Sequence, residues 1–266
     1  YRSSAASDVY KRQTLFLLAL LSPSAALAAG NAVEFDGSGD YVSLGNLTPG
    51  SDFTVEFWIE PNSLTSGSPY NTFLEAVNTS SYRNSLYIGI VNGSWQIEIN
   101  DNNQTEGGSC SASTTDSFCT SSAQPSAGTA THVALTFDSS EANLYVDGVL
   151  VDTETLSGSP TFGSSVNWVL GIDNDGSGYT SDPYDGVIDE LRVWETTRTE
   201  DEISCTMDYA LNGDESDLYT LYHFDESAGS SSTADELGGF DGSLSGDTTF
   251  TSCLLYTSDA ADDLYR

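Results

Sequence analysis

Basic residues are nearly missing from this chain. Seven Lys and Arg stand against forty Asp and Glu over 266 residues, a formal net charge of −33, and Lys11 is the lone lysine. So few cations cannot neutralise a phosphate backbone, which excludes nucleic acid as a partner. Docking to anionic lipid is excluded for the same reason. Long apolar runs are missing too: the one conspicuous run, residues 14–21 (TLFLLALL), is too short to span a bilayer, so no membrane insertion is expected. What is present is strand-and-turn material. Gly, Ser, Thr, Asn and Asp abound beside Val, Ile, Tyr and Phe. A chain that is 38% hydrophobic and 11% aromatic can fill a core, which argues against disorder. So acidic a surface suits high salt or abundant divalent cation, where self-repulsion is screened.

The two ends carry no fold signal. Residues 3–13 (SSAASDVYKRQ) resemble a translated sequencing adapter, and residues 253–263 (CLLYTSDAADD) resemble its reverse complement read in a shifted frame. We therefore expect 1–13 and 253–266 to lie outside the folded unit. The apolar run followed by Ala26-Leu27-Ala28 reads as a secretory signal peptide, 14–28, truncated at its start. A mature domain is then expected over 29–252, secreted or at the cell surface, with further domains lost C-terminally. Its cations are Arg83, Arg192 and Arg198, and its cysteines Cys110, Cys119 and Cys205.

Within 29–252 the period is two. Phe53, Val55, Phe57 and Ile59 alternate with Thr54, Glu56, Trp58 and Glu60, which buries one face of a strand. Leu86, Ile88 and Ile90 run into Asn92-Gly93 and out through Trp95, Ile97 and Ile99, a hairpin with type I′ turn residues. Leu144 and Val146 enter Asp147-Gly148 and leave through Val149 and Val151 by the same logic. Val133, Leu135 and Phe137 alternate regularly; Ile188, Leu191 and Val193 do so less regularly. One helix is predicted near 199–207, opened by Thr199 with Glu202 three residues on, a capping box before Ile203. Residues 105–131 show no periodicity and read as a long loop. The fold class is all-β, a two-sheet antiparallel sandwich.

In chain order these segments resemble the laminin-G-like jelly roll of the concanavalin A-like lectin/glucanase superfamily. The resemblance is carried by AVEFDGSGDYVSLG (32–45), DFTVEFWIEP (52–61), THVALTFDSSEANLYVDGVLV (131–151), YDGVIDELRVWETTRTEDEI (184–203) and LYTLYHFDES (218–227) with DGSLSG (241–246). The superfamily holds lectins, glycosidases, lyases and adhesion modules, so membership alone names no activity. Its hydrolases place two carboxylates near Glu-x-Asp-x-x-Glu spacing, and no such spacing occurs. Asp189 and Glu190 are adjacent, which a regular strand points to opposite faces. His132, at a strand start, reads as structural, and His223 reads as a sheet-face residue. No enzyme activity is expected of this fragment.

The resemblance also implies one structural Ca²⁺ where the turn after the first strand meets a late strand. The matching positions are Asp36, Gly37 and Asp40 with Asp189, oxygen donors of the kind a hard cation takes; the competing reading is turn and cap residues. The segment Asp173-Asn174-Asp175-Gly176-Ser177-Gly178 opens like an EF-type loop but has Tyr184 where the bidentate Glu belongs, so a plain turn is favoured there. For a glycan or another extracellular ligand the candidate contacts are Asp173, Asp175, Tyr179 and Tyr184, with Tyr70 and Tyr82 in further loops. Trp58, Trp95, Trp168 and Trp194 fall within strand patterns and read as packing residues. Cys110 and Cys119 are expected to form a disulfide, permissible after export. The reading as a whole is a secreted, calcium-stabilised binding module whose partner is a glycan or an extracellular protein surface. The runner-up is a non-catalytic piece of a carbohydrate-active enzyme, and a purely structural adhesin module comes third.

Overall fold

The computed structural model describes residues 30–64, 70–81, 83–99, 117–156, 160–174 and 178–252. The adapter-like ends, the apolar run and Cys110 lie outside them, as do Tyr82 and Asp175. Strands follow in order: β1 Asn31–Asp36, β2 Tyr41–Gly45, β3 Phe53–Ser63, β4 Tyr70–Asn78, β5 Arg83–Val91, β6 Ser94–Ile99, β7 Ser117–Thr120, β8 Thr131–Phe137, β9 Glu141–Val146 and β10 Val149–Thr155. After these come β11 Val166–Leu170, β12 Asp173–Asn174, β13 Tyr179–Ser181 and β14 Asp185–Trp194. Helix α1, Glu200–Thr206, precedes β15 Leu218–Tyr222, β16 Ser232–Thr233, β17 Gly242–Ser245 and β18 Thr249–Ser252.

Two eight-stranded antiparallel sheets result. The first runs β10-β9-β8-β3-β14-β1-β18, with β15 sharing the β1 side of β14; the second runs β16-β17-β2-β11-β4-β5-β6-β7. Alternation supplies the inner faces. Val55, Phe57 and Ile59 of β3 and Val133, Leu135 and Phe137 of β8 meet Leu74, Leu86, Ile88, Ile97 and Trp168 from the second sheet in one buried core. Both predicted hairpins form with left-handed central residues, Asn92 (φ 50°) with Gly93 (φ 77°) and Asp147 (φ 49°) with Gly148 (φ 74°). That is the type I′ geometry whose twist matches the flanking strands.

Two elements depart from the sequence reading. β7 lies inside the stretch expected to be loop, because pairing with β6 from Trp95 to Glu98 supplies what a four-residue segment cannot announce by periodicity. Tyr70 opens β4 rather than sitting in a loop. The irregular spacing of Ile188, Leu191 and Val193 has a local cause. Asp189 pairs with Trp58 and Arg192 with Glu56, so β14 carries one extra residue there, and Glu190 takes φ 51°. This bulge turns both Ile188 and Leu191 to the core.

A seven-residue helix is unstable alone, and α1 is held by its surroundings. Its capping box forms as expected: Thr199 N donates to Glu202 Oε2 at 2.8 Å and Glu202 N to Thr199 Oγ1 at 3.3 Å. Ile203 packs against Ala134 and Tyr145 on the outer face of the first sheet. The carbonyls at and beyond its C-terminus, which the helix itself leaves unsatisfied, are capped from that sheet. Arg192 donates to Thr206 O and Tyr209 O, and Trp58 Nε1 to Met207 O.

Candidate functional site

Three polar groupings could carry function. The first lies under α1. Glu56, fully buried on β3, accepts from Trp194 Nε1 (2.9 Å) and from Arg198 Nη1 (2.8 Å), while His132 Nε2 stands 3.8 Å from its other oxygen. Arg192 pairs with Glu190 at 3.0 Å, and Glu190 reaches His223 Nδ1 at 2.6 Å. Arg198 also lies 4.1 Å over the Trp194 ring. Burial, followed by the charges of Arg192 and Arg198, pushes the His132 pKa well below the ordinary imidazole value, so this ring stays neutral. Burial acts the same way on His223, but the hydrogen bond and charge of Glu190, with Glu236 and Asp225 beyond, win and raise it. The network ties β3, β14, α1 and the chain after it together. His132 is buried within this network, against Glu56 and the Trp58 ring.

The second grouping lies at one end of the sandwich. Asp36, Asp40 and Asp247 bring one carboxylate oxygen each to within 4.8 Å of one another. Asp40 is buried, and its oxygens accept from Asp36 N (3.0 Å) and Asp247 N (2.8 Å), joining the β1–β2 turn to the β17–β18 turn. Gly246 lets the turns approach, since a Cβ there would come within 2.4 Å of Asp40 Oδ1. Burial raises the Asp40 pKa; the two amide bonds oppose it, and the nearby Asp36 charge adds to it. Gly37 (φ 80°) turns the chain beside them. Asp189 does not join them. Asp36 faces Asp185 across the β1–β14 ladder, and Asp189 lies four residues further along β14, about 13 Å at strand rise. There Asp189 accepts from Glu190 N at the bulge. Asp247 takes the place the sequence reading gave to Asp189; nothing short of the β2–β17 register could have found it.

The third is the outer face of the second sheet, which α1 does not roof. Cross-strand register lines up Ser43, Val169, Glu75, Tyr87 and Glu98 on that face. The β12–β13 hairpin folds over it, held by Asn174 N donating to Glu75 Oε2 (3.2 Å) and Thr72 N to Asp182 O (3.2 Å). Half-buried Tyr41 and Tyr179 lie ring to ring at 4.5 Å, tilted by 32°. Asn167 Nδ2 donates to Tyr179 Oη at 2.8 Å, and Ser43 Oγ donates to Asn167 Oδ1 at 3.1 Å. Tyr70, Asn84, Tyr87, Glu98, Asp173 and Asp182 line a small pocket further along.

Of the four candidate ligand contacts, Asp173 and Tyr179 therefore come to this face and Asp175 lies outside the described residues. Tyr184 does not come to it: it is fully buried, edge-on to Phe73 and bonded to Val187 O, a core residue. Cys119 sits in β7, with its expected partner outside the described residues, and Cys205 is free and exposed on α1. Trp95 and Trp168 fill the core, while Trp58 and Trp194 pack beneath α1 and the chain that follows it. Tyr41, Ser43 and Asn167 were missed because a Tyr-x-Ser alternation in a strand signals only an exposed face.

These features define a two-sheet antiparallel β-sandwich of the jelly-roll type, and comparison with known proteins fixes the family. Residues 36–204 match the family model of the concanavalin A-like lectin/glucanases superfamily, laminin G type. The chain belongs to that superfamily. Among solved structures it is similar to a candidate carbohydrate binding protein from Bacteroides ovatus (TM-score 0.65, 18% identity, 85% of this chain and 60% of that one). It is also similar to a heptameric SAP-like pentraxin from Limulus polyphemus (0.51, 15%, 66% and 81%). A third is the CBM40 of a Ruminococcus gnavus IT-sialidase bound to α2,6 sialyllactose (0.50, 17%, 68% and 98%). The chain spans about 60% of the length of the Bacteroides protein. No curated protein matches it.

Proposed function

We propose that this domain is a non-catalytic module that binds a glycan outside the cell. The observation that carries the reading is the half-exposed Tyr41–Tyr179 pair, flanked by the Asn167 and Ser43 side chains, on a sheet face left open by α1. An aromatic face offers an apolar platform to the C–H face of a sugar ring, and the amide and hydroxyl beside it can exchange hydrogen bonds with ring hydroxyls. The solved relatives described as carbohydrate-binding support the class of ligand. On this reading the tyrosine pair, the amide and the hydroxyl bind and orient the sugar. Glycan-array screening followed by titration tests it: Tyr41→Ala and Tyr179→Ala should each weaken the best ligand at least tenfold with melting temperature kept. Full binding in both variants would sink the reading.

Calcium belongs to the same proposal. Three carboxylates from two turns form an all-oxygen donor set of the kind a hard divalent cation takes, and Asp36, Asp40 and Asp247 would hold it. The ion would supply charge neutralisation between the turns and no chemistry. It would join the two ends of the described chain.

A further inference from the structure

We infer that the pocket between β4, β5, β6 and the β12–β13 hairpin receives a primary ammonium group, so that this face selects a glycan bearing a free amine and rejects acidic glycans. The inference rests on the glycan reading above and names the ligand class for that face.

The pocket's inner space is about 10 Å³, room for one group the size of a water. Asp173 points into it with 2% of its surface exposed, and its Oδ1 has no hydrogen-bond partner. A buried carboxylate without a partner is unfavourable unless a cation compensates it. Glu98 and Asp182 line the same space. All three act on the Tyr87 hydroxyl: burial raises its pKa well above the phenol value, and the fields of Asp173, Glu98 and Asp182 add to the rise. The ring of Tyr87 is seated over Gly89, where a Cβ would fall 2.5 Å from Tyr87 Oη and 2.6 Å from Asn71 O. The floor is therefore built, not incidental.

The spacing of the acids selects the kind of cation. Among the described residues, the group of three carboxylates converging within 4.8 Å is the one at Asp36, Asp40 and Asp247. The pocket's acids stand further apart than that, so they do not close round a divalent ion as a chelate. An ammonium has three donors pointing in different directions and suits separated acceptors. Among the described side chains, the cations lie across the sandwich, where Arg192 and Arg198 are buried under α1. Arg83 begins β5 with its side chain outside the described residues. Among the described groups, an acidic sugar would meet the Asp173, Glu98 and Asp182 carboxylates at short range with little screening. From β2 with Tyr41 to β5 with Tyr87 is three strand spacings, about 14 Å, so an oligosaccharide can touch the tyrosine pair and the pocket together.

The test is calorimetric titration of the full chain, in about 0.15 M salt and below the amine's pKa, with three probes: a glucosamine tetramer, its fully N-acetylated counterpart, and sialyllactose. The amine tetramer should bind at least tenfold tighter than the acetylated one, and sialyllactose should not bind. Asp173→Asn, and independently Asp182→Asn, should erase the preference. Asp208→Asn, an exposed acid beyond α1, should keep it. Equal loss in Asp173→Asn and Asp208→Asn would mean unspecific attraction to an acidic surface and overturn the inference, as would binding of sialyllactose. If the acetylated tetramer binds through Tyr41 with no amine preference, the glycan reading stands and the amine pocket falls. If the amine preference needs Asp173 but methylammonium competes fully and Tyr41→Ala changes nothing, the pocket stands and the glycan reading falls.

Discussion

Arg192→Met removes the cation beneath α1 while filling most of its volume. Arg192 is 1% exposed and donates to Glu190 Oε2 at 3.0 Å, Thr206 O at 3.0 Å and Tyr209 O at 2.6 Å. Removing one partner of a buried pair costs about 3–5 kcal/mol, because the other charge stays buried. In a domain of this size each kcal/mol lowers the melting temperature by roughly 2–4 °C. The expected loss is therefore roughly 6–20 °C. Urea unfolding followed by tryptophan fluorescence reads it directly, since Trp58 and Trp194 lie in the same layer. Adding Glu190→Gln to Arg192→Met should recover at least half the loss, because no unpaired charge then remains at that position.

The defect should also depend on pH, with a sign fixed by His223. In the variant, His223 is the cation left beside Glu190, at 2.6 Å. Its folded pKa is raised above 6.5. Its stabilisation is thus fully present below about 6.5 and is lost as pH rises through the folded value. Arg192→Met should be mildest in weak acid and worst in weak base. A loss under about 1 kcal/mol, a double variant that is merely additive, or a defect flat with pH would each refute the electrostatic account.

Chelating calcium should lower the melting temperature at fixed ionic strength, by an amount equivalent to about 2.7 kcal/mol when free calcium had been a hundred times Kd. Asp247→Asn should abolish that response and Asp189→Asn should keep it; a calcium titration with no saturable step would remove the ion from the account. The two histidines should tilt stability in opposite directions. His132 is held neutral in the fold, so it opposes folding increasingly as pH falls below 6.5, by up to about 1.4 kcal/mol per pH unit. His132→Gln should therefore leave stability falling as pH rises from weak acid, and His223→Gln should leave it falling as pH drops; identical slopes in the two variants would contradict both assignments.

Legibility in the sequence followed the regularity of alternation rather than burial, since β3 from Phe53 to Ile59 and all of β8 are buried on both faces. β3 and β8 alternate because one face meets the core and the other meets polar groups under α1, and both were plain. β4 was not. Its register shifts between Thr72 and Leu74 and again between Ala76 and Val77, so no period of two survives. The turns and the helix start were legible because their chemistry is local: Asn-Gly, Asp-Gly and Thr-x-x-Glu act within four residues. Asp36 with Asp40 was legible for the same reason. Asp247 was not, because its place beside Asp40 depends on β17 pairing with β2 some two hundred residues away in sequence.

The candidate ligand face was hidden for a different reason, and the same reason gives it its character. Counting charges shows that cations are scarce but not where they go. The fold places Arg192 and Arg198 where backbone carbonyls at the end of a short helix and two buried glutamates must be satisfied, and both are consumed there. Among the described side chains, the opposite face presents carboxylates, amides, hydroxyls and tyrosine rings. Tyr179 reaches Tyr41 only because the β12–β13 hairpin crosses the sheet, and the same crossing lowers Asp173 toward Tyr87. The hairpin so assembles an aromatic platform and an acidic pocket from one short excursion of the chain. On the inference drawn above, the preference of this face follows from which neutral or cationic group satisfies Asp173.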